Sequence, residues 1–275
     1  TIQASEIVAR IAEETVAALR AVHASFEVAP SAAEHPASAV AGDKLEIAAG
    51  HTGYIQDVDV VGLYRFACRR GVTVEVRRAV GDFVIAGRPL LAISPAADLK
   101  MADRKLLGRA FGIQNYRTIE QDPEFGLRQI VDIALKALSP GINDSTTAVH
   151  CVDYLEVILH VAIRCPAVPE QQWEGDRLRI TMKQPGTSRL LNVALNEIRQ
   201  NARTNVAVIL RLLKLVRELA EEAQDDALRT ELRRHAELIV ASARLSIPLA
   251  DDREEVERRA AEIHRLATPR LDAVR

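Results

Sequence analysis

Cysteine is scarce in this sequence. Cys68, Cys151 and Cys165 are the only three among 275 residues. They are odd in number and follow no Cys-x-x-Cys or ligand-type spacing, so neither a disulfide framework nor a zinc site is expected of them. Lone thiols on apolar segments suit a reducing compartment. Aromatic residues make up only 4%, which leaves little for stacking on nucleic-acid bases. An excess of either charge is also missing. The 36 Lys and Arg balance 38 Asp and Glu, for a net charge of -2 and a pI near 6.4, so no global field recruits nucleic acid. No run approaches the roughly 20 apolar residues expected of a membrane helix, and no signal-peptide pattern opens the chain. The Gly-x-Ser-x-Gly elbow, the phosphate-binding Gly-Lys-Ser loop and the dinucleotide fingerprint are absent too.

What is present is a globular composition, 48% hydrophobic and 27% charged, with length for one large domain or two small ones. Residues 1–22 read as a helix from the outset, with Ala4, Ile7, Val8, Ile11, Ala18, Leu19 and Val22 on one broad face. The first residue is Thr1 rather than Met, and no capping box precedes the first turn. Such a cut helix is the pattern expected of a piece of a longer protein. A loop rich in Ala, Ser, Pro and Gly is expected over residues 25–42.

A β region follows over residues 45–93, with Gly53-Tyr-Ile-Gln as an early strand and an alternating second half punctuated by Gly81 and Gly87. Between them, Asp59 caps an inserted helix whose face is Val60, Leu63, Tyr64 and Ala67. The run Val80-Gly-Asp-Phe-Val84 with Gly87-Arg-Pro-Leu90 resembles a half-motif of the biotinyl and lipoyl barrel-sandwich domains. A carrier role requires a lysine at a hairpin tip, and no lysine occurs between Leu45 and Leu99. The module is therefore expected to be structural, and no cofactor is expected. Arg65, Arg69, Arg70, Arg77 and Arg78 make it locally basic. A solvated face accounts for them more simply than an anion site does.

Beyond residue 103 the pattern is helical. Asp122 caps a helix opening at Pro123, with Leu127, Ile130, Val131, Ala134, Ala137 and Leu138 on its apolar face. Glu124, Arg128, Asp132 and Lys136 follow at i+4 steps, with Gln129 beside Asp132. This is either an exposed ladder of ion pairs or a polar seam inside the protein. Ser139-Pro140-Gly141 stops the helix. Asn143 and Asp144 then form a turn and cap, with Ser145, Thr146 and Thr147 in the first turn of the next helix. A capped helix–helix turn explains these residues. Their density, next to Glu120, Gln121 and Asp122, makes Arg128, Gln129, Asp132, Asn143, Asp144, Thr146 and Thr147 the candidate ligand-binding set, expected to form one network.

The helix over residues 146–164 is apolar nearly all round and is expected to be central and buried. Asp153, Glu156 and His160 share one side of it, with His150 three residues before Asp153. No metal is expected. Were one bound, Asp153, Glu156 and His160 have the i+3 and i+4 spacing that converges on an ion, without the His-Glu-x-x-His order of zinc peptidases. A Pro-rich crossing over residues 165–175 leads to a strand over residues 177–182 and the turn Gln184-Pro-Gly. Four amphipathic helices, at about 188–201, 205–223, 226–246 and 251–266, complete an antiparallel bundle. Asn196, Arg199, Gln200, Asn201 and Arg203 are expected to face the Asp144 turn.

The run Glu120-Gln-Asp-Pro-Glu-Phe-Gly-Leu-Arg-Gln-Ile-Val-Asp-Ile-Ala-Leu-Lys-Ala-Leu-Ser-Pro-Gly-Ile-Asn-Asp-Ser-Thr-Thr-Ala148, with Cys151 and Asp153 after it, resembles the signature of a family of bacterial predicted membrane proteins of unknown function, DUF2254. So do Gly53-Tyr-Ile-Gln, Gly81-Asp-Phe-Val and Gly87-Arg-Pro-Leu. The family pattern usually has Pro where this chain has Ser145. The resemblance implies several membrane helices ahead of residue 1, and membrane attachment through them, but no activity. The expectation is an α+β, mostly helical protein with a membrane-proximal helix (residues 1–22), a small barrel-sandwich-like β module (45–95) and a helical bundle (103–275). Its place is the inner membrane, with the soluble part on the cytoplasmic side. A non-catalytic role in ligand or ion sensing, gating or assembly comes first, with a homo-oligomer as a partner state and no nucleic acid. A membrane-tethered enzyme, a metal-dependent hydrolase for instance, using Asp122, Asp132 and Asp144 is the alternative.

Overall fold

The computed structural model describes residues 2–27, 43–96, 99–165, 168–183 and 185–266. The expected loop from residue 28 to 42, part of the Pro-rich crossing at residues 166 and 167, and Gln184 fall outside them, as does Thr1. The protein is α+β and mostly helical. It divides into two units, one of residues 17–125 and 166–184, the other of residues 1–16, 126–165 and 185–275. The first is called the sheet unit below, the second the helical unit. The division falls inside helix α1 (Ile2–Glu27) and inside helix α4 (Pro123–Ala137).

The sheet unit opens with β1 (Leu45–Ala48) and β2 (Gly53–Val58), then α2 (Val60–Arg70), β3 (Thr73–Val76), β4 (Phe83–Val84), β5 (Pro89–Ser94), α3 (Met101–Arg109) and β6 (Phe111–Gln114). It is completed by β7 (Gln171–Glu174) and β8 (Arg177–Met182). The strands form a five-stranded sheet in the order β1-β5-β3-β8-β7 and a three-stranded sheet in the order β4-β2-β6. Only β3 and β8 run parallel, with Val74 opposite Ile180; the other pairs are antiparallel. Period-two alternation explains the register. In β3, Val74 and Val76 are buried and Thr73 and Glu75 half-buried, as one covered sheet face requires. β8 coincides with the expected strand. β6 and β7 lie in segments read from the sequence as helical or as a crossing, and both are four-residue strands, too short to show a period.

Helix α2 forms where Asp59 caps it. The carboxylate accepts from Gly62 N–H at 2.8 Å, and Gly71, at φ 68, closes the far end. Val60, Leu63, Phe66 and Ala67 are its buried side. They join Ile55, Val74, Leu91, Ile93, Leu107, Phe111 and Ile180 in one apolar core, where each large side chain contributes about 1.5–3 kcal/mol. Tyr64 is half-buried instead, and its hydroxyl donates to Trp173 O at 3.1 Å.

The helical unit contains α5 (Ser145–Arg164), α6 (Thr187–Ala202), α7 (Val206–Glu222), α8 (Asp226–Ser246) and α9 (Ala250–Leu266), besides the parts of α1 and α4 noted above. Helix α7 packs against α5, α6, α8 and α9, and Val208, Leu212, Leu215, Val216 and Leu219 are fully enclosed. Gly126 permits a close approach of α4 to α1, since a Cβ there would lie 1.9 Å from Thr15 Oγ1. Helix α5 corrects one expectation. It is long and apolar enough, by length and composition, to cross a membrane, with a mean hydropathy of 1.3 over its best window. Its few charges had hidden this. Ala148, Val152, Leu155, Ile158 and Leu159 are nevertheless buried in the bundle.

Candidate functional site

The turn between α4 and α5 has the expected local form. Asn143 adopts φ 48, the left-handed region that a short polar side chain tolerates. Asp144 caps α5, with Oδ1 accepting from Thr147 N–H at 3.0 Å and Oδ2 from the Thr147 hydroxyl at 2.6 Å. These bonds, the hydroxyl's first, hold its carboxyl below the usual range.

The seven candidate residues do not form one network. Arg128 pairs with Glu197 of α6. Asp132 and Thr146 are exposed, and Gln129 is half-buried. The Asp144 capping interaction closes on its own first turn, Thr147 and the Thr146 backbone. The expected neighbours of the turn are engaged elsewhere, Asn196 with Asn192 and Arg199 with Ser242. The residue that reaches the turn is Asn205, which caps α7 and donates from Nδ2 to Ser145 Oγ at 2.5 Å. The physical reason is local satisfaction. An N-cap carboxylate is saturated by its own first turn, and Arg128 finds a carboxylate on the neighbouring helix before one on its own.

Asp122, in the sheet unit, is nearly enclosed. Its Oδ1 accepts from Phe125 N–H at 3.1 Å, and its Oδ2 from Arg117 Nε at 2.8 Å and Nη2 at 2.7 Å. Arg117 lies 5.0 Å above the Phe125 ring. Burial raises the Asp122 pKa against the pull of Arg117. Asp122, Asp132 and Asp144, the trio of the catalytic reading, thus have separate surroundings.

The convergence of ligand-type side chains lies instead between α5 and α7. Residues at i and i+4 on α5 share a face, which places Glu156 Oε1 3.5 Å from His160 Nε2. Glu218 of α7 meets them, and one ligand atom from each of the three lies within 4.8 Å of the others. Asp153, the third residue expected here, turns to Arg211, which also binds Glu156. Glu222 adds a carboxylate 3.1 Å from His160 Nδ1 and 2.9 Å from Arg164 Nε. Glu156 is only 8% exposed. Burial, and then its hydrogen bond with Glu218, raise its pKa, while Arg211 opposes them. The same hydrogen bond lowers the pKa of Glu218, helped by Lys214 and Arg211. Two carboxylates and an imidazole suit a divalent ion such as zinc or manganese. With no ion, Arg211 supplies the positive charge at Glu156. Glu156 and His160 are legible from their i, i+4 spacing. Glu218 and Arg211 lie on another helix and had no local signal.

Comparison with known proteins places this geometry. The profile of the family described as "Predicted membrane protein (DUF2254)" matches residues 1–218. The chain belongs to the DUF2254 family. Uncharacterized proteins of Mycobacterium tuberculosis (strains CDC 1551 / Oshkosh and H37Rv) and of Mycobacterium bovis are 30% identical to it over 263 residues, 93% of this chain and 50% of each relative. The chain therefore spans about half the length of the curated relatives it matches. No solved structure matches it. Glu156, His160 and Glu218 all fall inside the DUF2254 match, whereas α8 and α9 lie beyond it.

Proposed function

We propose that this chain is a non-catalytic, ion-sensing domain of a multi-spanning bacterial membrane protein, placed on the cytoplasmic side of the inner membrane. The observation that carries the reading is the Glu156–His160–Glu218 convergence between the packed helices α5 and α7. Carboxylates and an imidazole bind a divalent cation in their deprotonated forms, so binding releases any proton the set holds. The ion would replace the Arg211 contact and fix α5 against α7. The turn at residues 139–147 has a place in this scheme, because Asn205 and Ser145 tie the starts of the same two helices together. Arg128, Gln129, Asp132, Asn143, Asp144, Thr146 and Thr147 would then carry the response rather than hold the ion. Membrane attachment is supported by the family description. The cytoplasmic side is supported by three free cysteines.

The test is titration of the 275-residue chain with zinc and with manganese, read by calorimetry and by thermal shift. One ion should bind per chain, and Glu218→Gln should weaken binding at least tenfold while the chain stays folded. A wild-type chain that binds neither ion at millimolar concentration removes the reading.

A further inference from the structure

The sheet unit carries an exposed apolar face. Phe83 is 54% exposed, Ile85 57% and Tyr116 65%. Hydrogen bonds join the segments that bear them. Ala86 N–H donates to Thr52 Oγ1 at 3.0 Å, Gly87 N–H to Ala49 O at 2.9 Å, and Gln56 Nε2 to Tyr116 O at 2.8 Å. Tyr54 stands opposite Phe83 on one side and Gln114 on the other. Its ring meets that of Phe83 edge-on at 5.0 Å between centroids. Residues 50–54, 83–88 and 114–116 contain no Asp or Glu. The adjoining Asp82 turns back to accept from Ala79 N–H at 3.0 Å. Among the arginines of the unit, Arg77 is neutralised by Glu46 and Glu75, Arg117 by Asp122, Arg70 by Asp103 and Arg179 by Glu174. Arg88, exposed on this face, has no carboxylate partner among the described residues.

We infer that this face docks on a lipid bilayer whose headgroups are anionic. Phe83 and Ile85 project beside a turn that Gly87 makes at φ 83 with open space around it, so their side chains can enter the acyl boundary without moving the sheet. The Tyr54 and Tyr116 phenols and the Arg88 guanidinium are amphipathic groups that rest at headgroup level. Carboxylates, which an anionic surface repels, do not occur in these segments. Membership in a family of predicted membrane proteins makes a bilayer the surface at hand. Because Arg88 is the one arginine in residues 50–54, 83–88 and 114–116, insertion of apolar side chains supplies most of the binding and headgroup charge a smaller share. The inference does not depend on the cation site in the helical unit.

The experiment is flotation of the 275-residue chain with vesicles of phosphatidylcholine alone and of phosphatidylcholine with phosphatidylglycerol. Binding is expected to both, a few-fold stronger to the anionic vesicles. Phe83→Ser with Ile85→Ser should weaken it at least tenfold. Ile142→Ser, at an exposed isoleucine of the helical unit, should leave it unchanged. Phe83→Trp should give fluorescence quenched by brominated lipid, against the background of the enclosed Trp173. Three results would overturn the inference. The wild-type chain does not float. Or the double variant floats as well as wild type. Or wild type self-associates without binding vesicles and the double variant is monomeric, which would make a second copy the occupant.

Discussion

Gly81 and Asp122 meet so closely that a Cβ on the glycine would lie 2.7 Å from the Asp122 carboxylate and 2.8 Å from the Arg117 guanidinium. The glycine also has φ 89. Two stretches some forty residues apart in the sequence, Gly81-Asp-Phe-Val and Glu120-Gln-Asp, are therefore parts of one construction in the sheet unit. Gln121 belongs to it as well, accepting from Val58 N–H at 3.4 Å.

Gly81→Ala should cost about 2–4 kcal/mol, the sum of a strained backbone and a displaced, nearly enclosed ion pair. Gly87→Ala is the matched control. Its φ is also positive, but nothing lies near the added methyl, so about 1 kcal/mol is expected. Urea denaturation of both variants checks the difference; equal losses would show that the ion pair gives way freely.

Gly126→Ala should destabilise the helical unit by roughly 2–4 kcal/mol, because the methyl meets the enclosed Thr15 side chain. The companion Thr15→Ala removes the obstructing hydroxyl, which itself donates to Ile11 O at 2.6 Å. The double variant should recover at least half of the loss. A strictly additive result in a double-mutant cycle would mean that the two helices simply move apart.

Burial, and then the Arg234 guanidinium, push His235 down to about 4. Arg199 of α6 acts in the same direction, and Glu231 opposes both. The ring is neutral in the folded protein, while the unfolded chain takes a proton near 6.5. Its effect is thus absent above pH 6.5, and stability falls as pH drops from there toward 4, by roughly 2–4 kcal/mol. Urea midpoints at pH 7, 5.5 and 4.5 should decline less steeply in His235→Gln than in wild type. Parallel declines would place the acid sensitivity elsewhere.

Arg203 closes α6 at φ 46 and ψ -105, with its side chain exposed. Glycine has no Cβ to strain there, so Arg203→Gly should raise stability by about 1 kcal/mol. Ser246 Oγ still has Arg203 O to bond at 2.8 Å. A lower thermal midpoint for the variant would show that the guanidinium holds something the backbone does not.

Residues that act on their own neighbours were legible in the sequence. Asp59 and Asp144 cap helices because an acceptor before an apolar period satisfies that helix's own N–H groups. Helix α8 coincides with the span its period marks. Strand β7, Gln-Gln-Trp-Glu, has no such period; it is a strand only because β8 lies beside it. The candidate site divides in the same way. Spacing along α5 put Glu156 with His160, but Glu218 comes from α7, and only helix packing brings it there. Asp153 was misplaced for the complementary reason, since Arg211 of α7 draws it away. Helix α6 likewise supplied Glu197 to Arg128, whose expected neighbours were on its own helix and turn.

Strand β8 enters the five-stranded sheet beside β3, although about a hundred residues separate them in the sequence. During synthesis, the emerging chain must release all of α4 and α5 before that sheet can be finished. Until then β3 has a bare edge, with Val74 and Val76 unshielded, and such edges recruit other chains. A stop anywhere between residues 95 and 176 would leave that edge permanently bare. Truncated products are thus expected in the insoluble fraction, and an interval during which nascent chains need holding is written into the strand order.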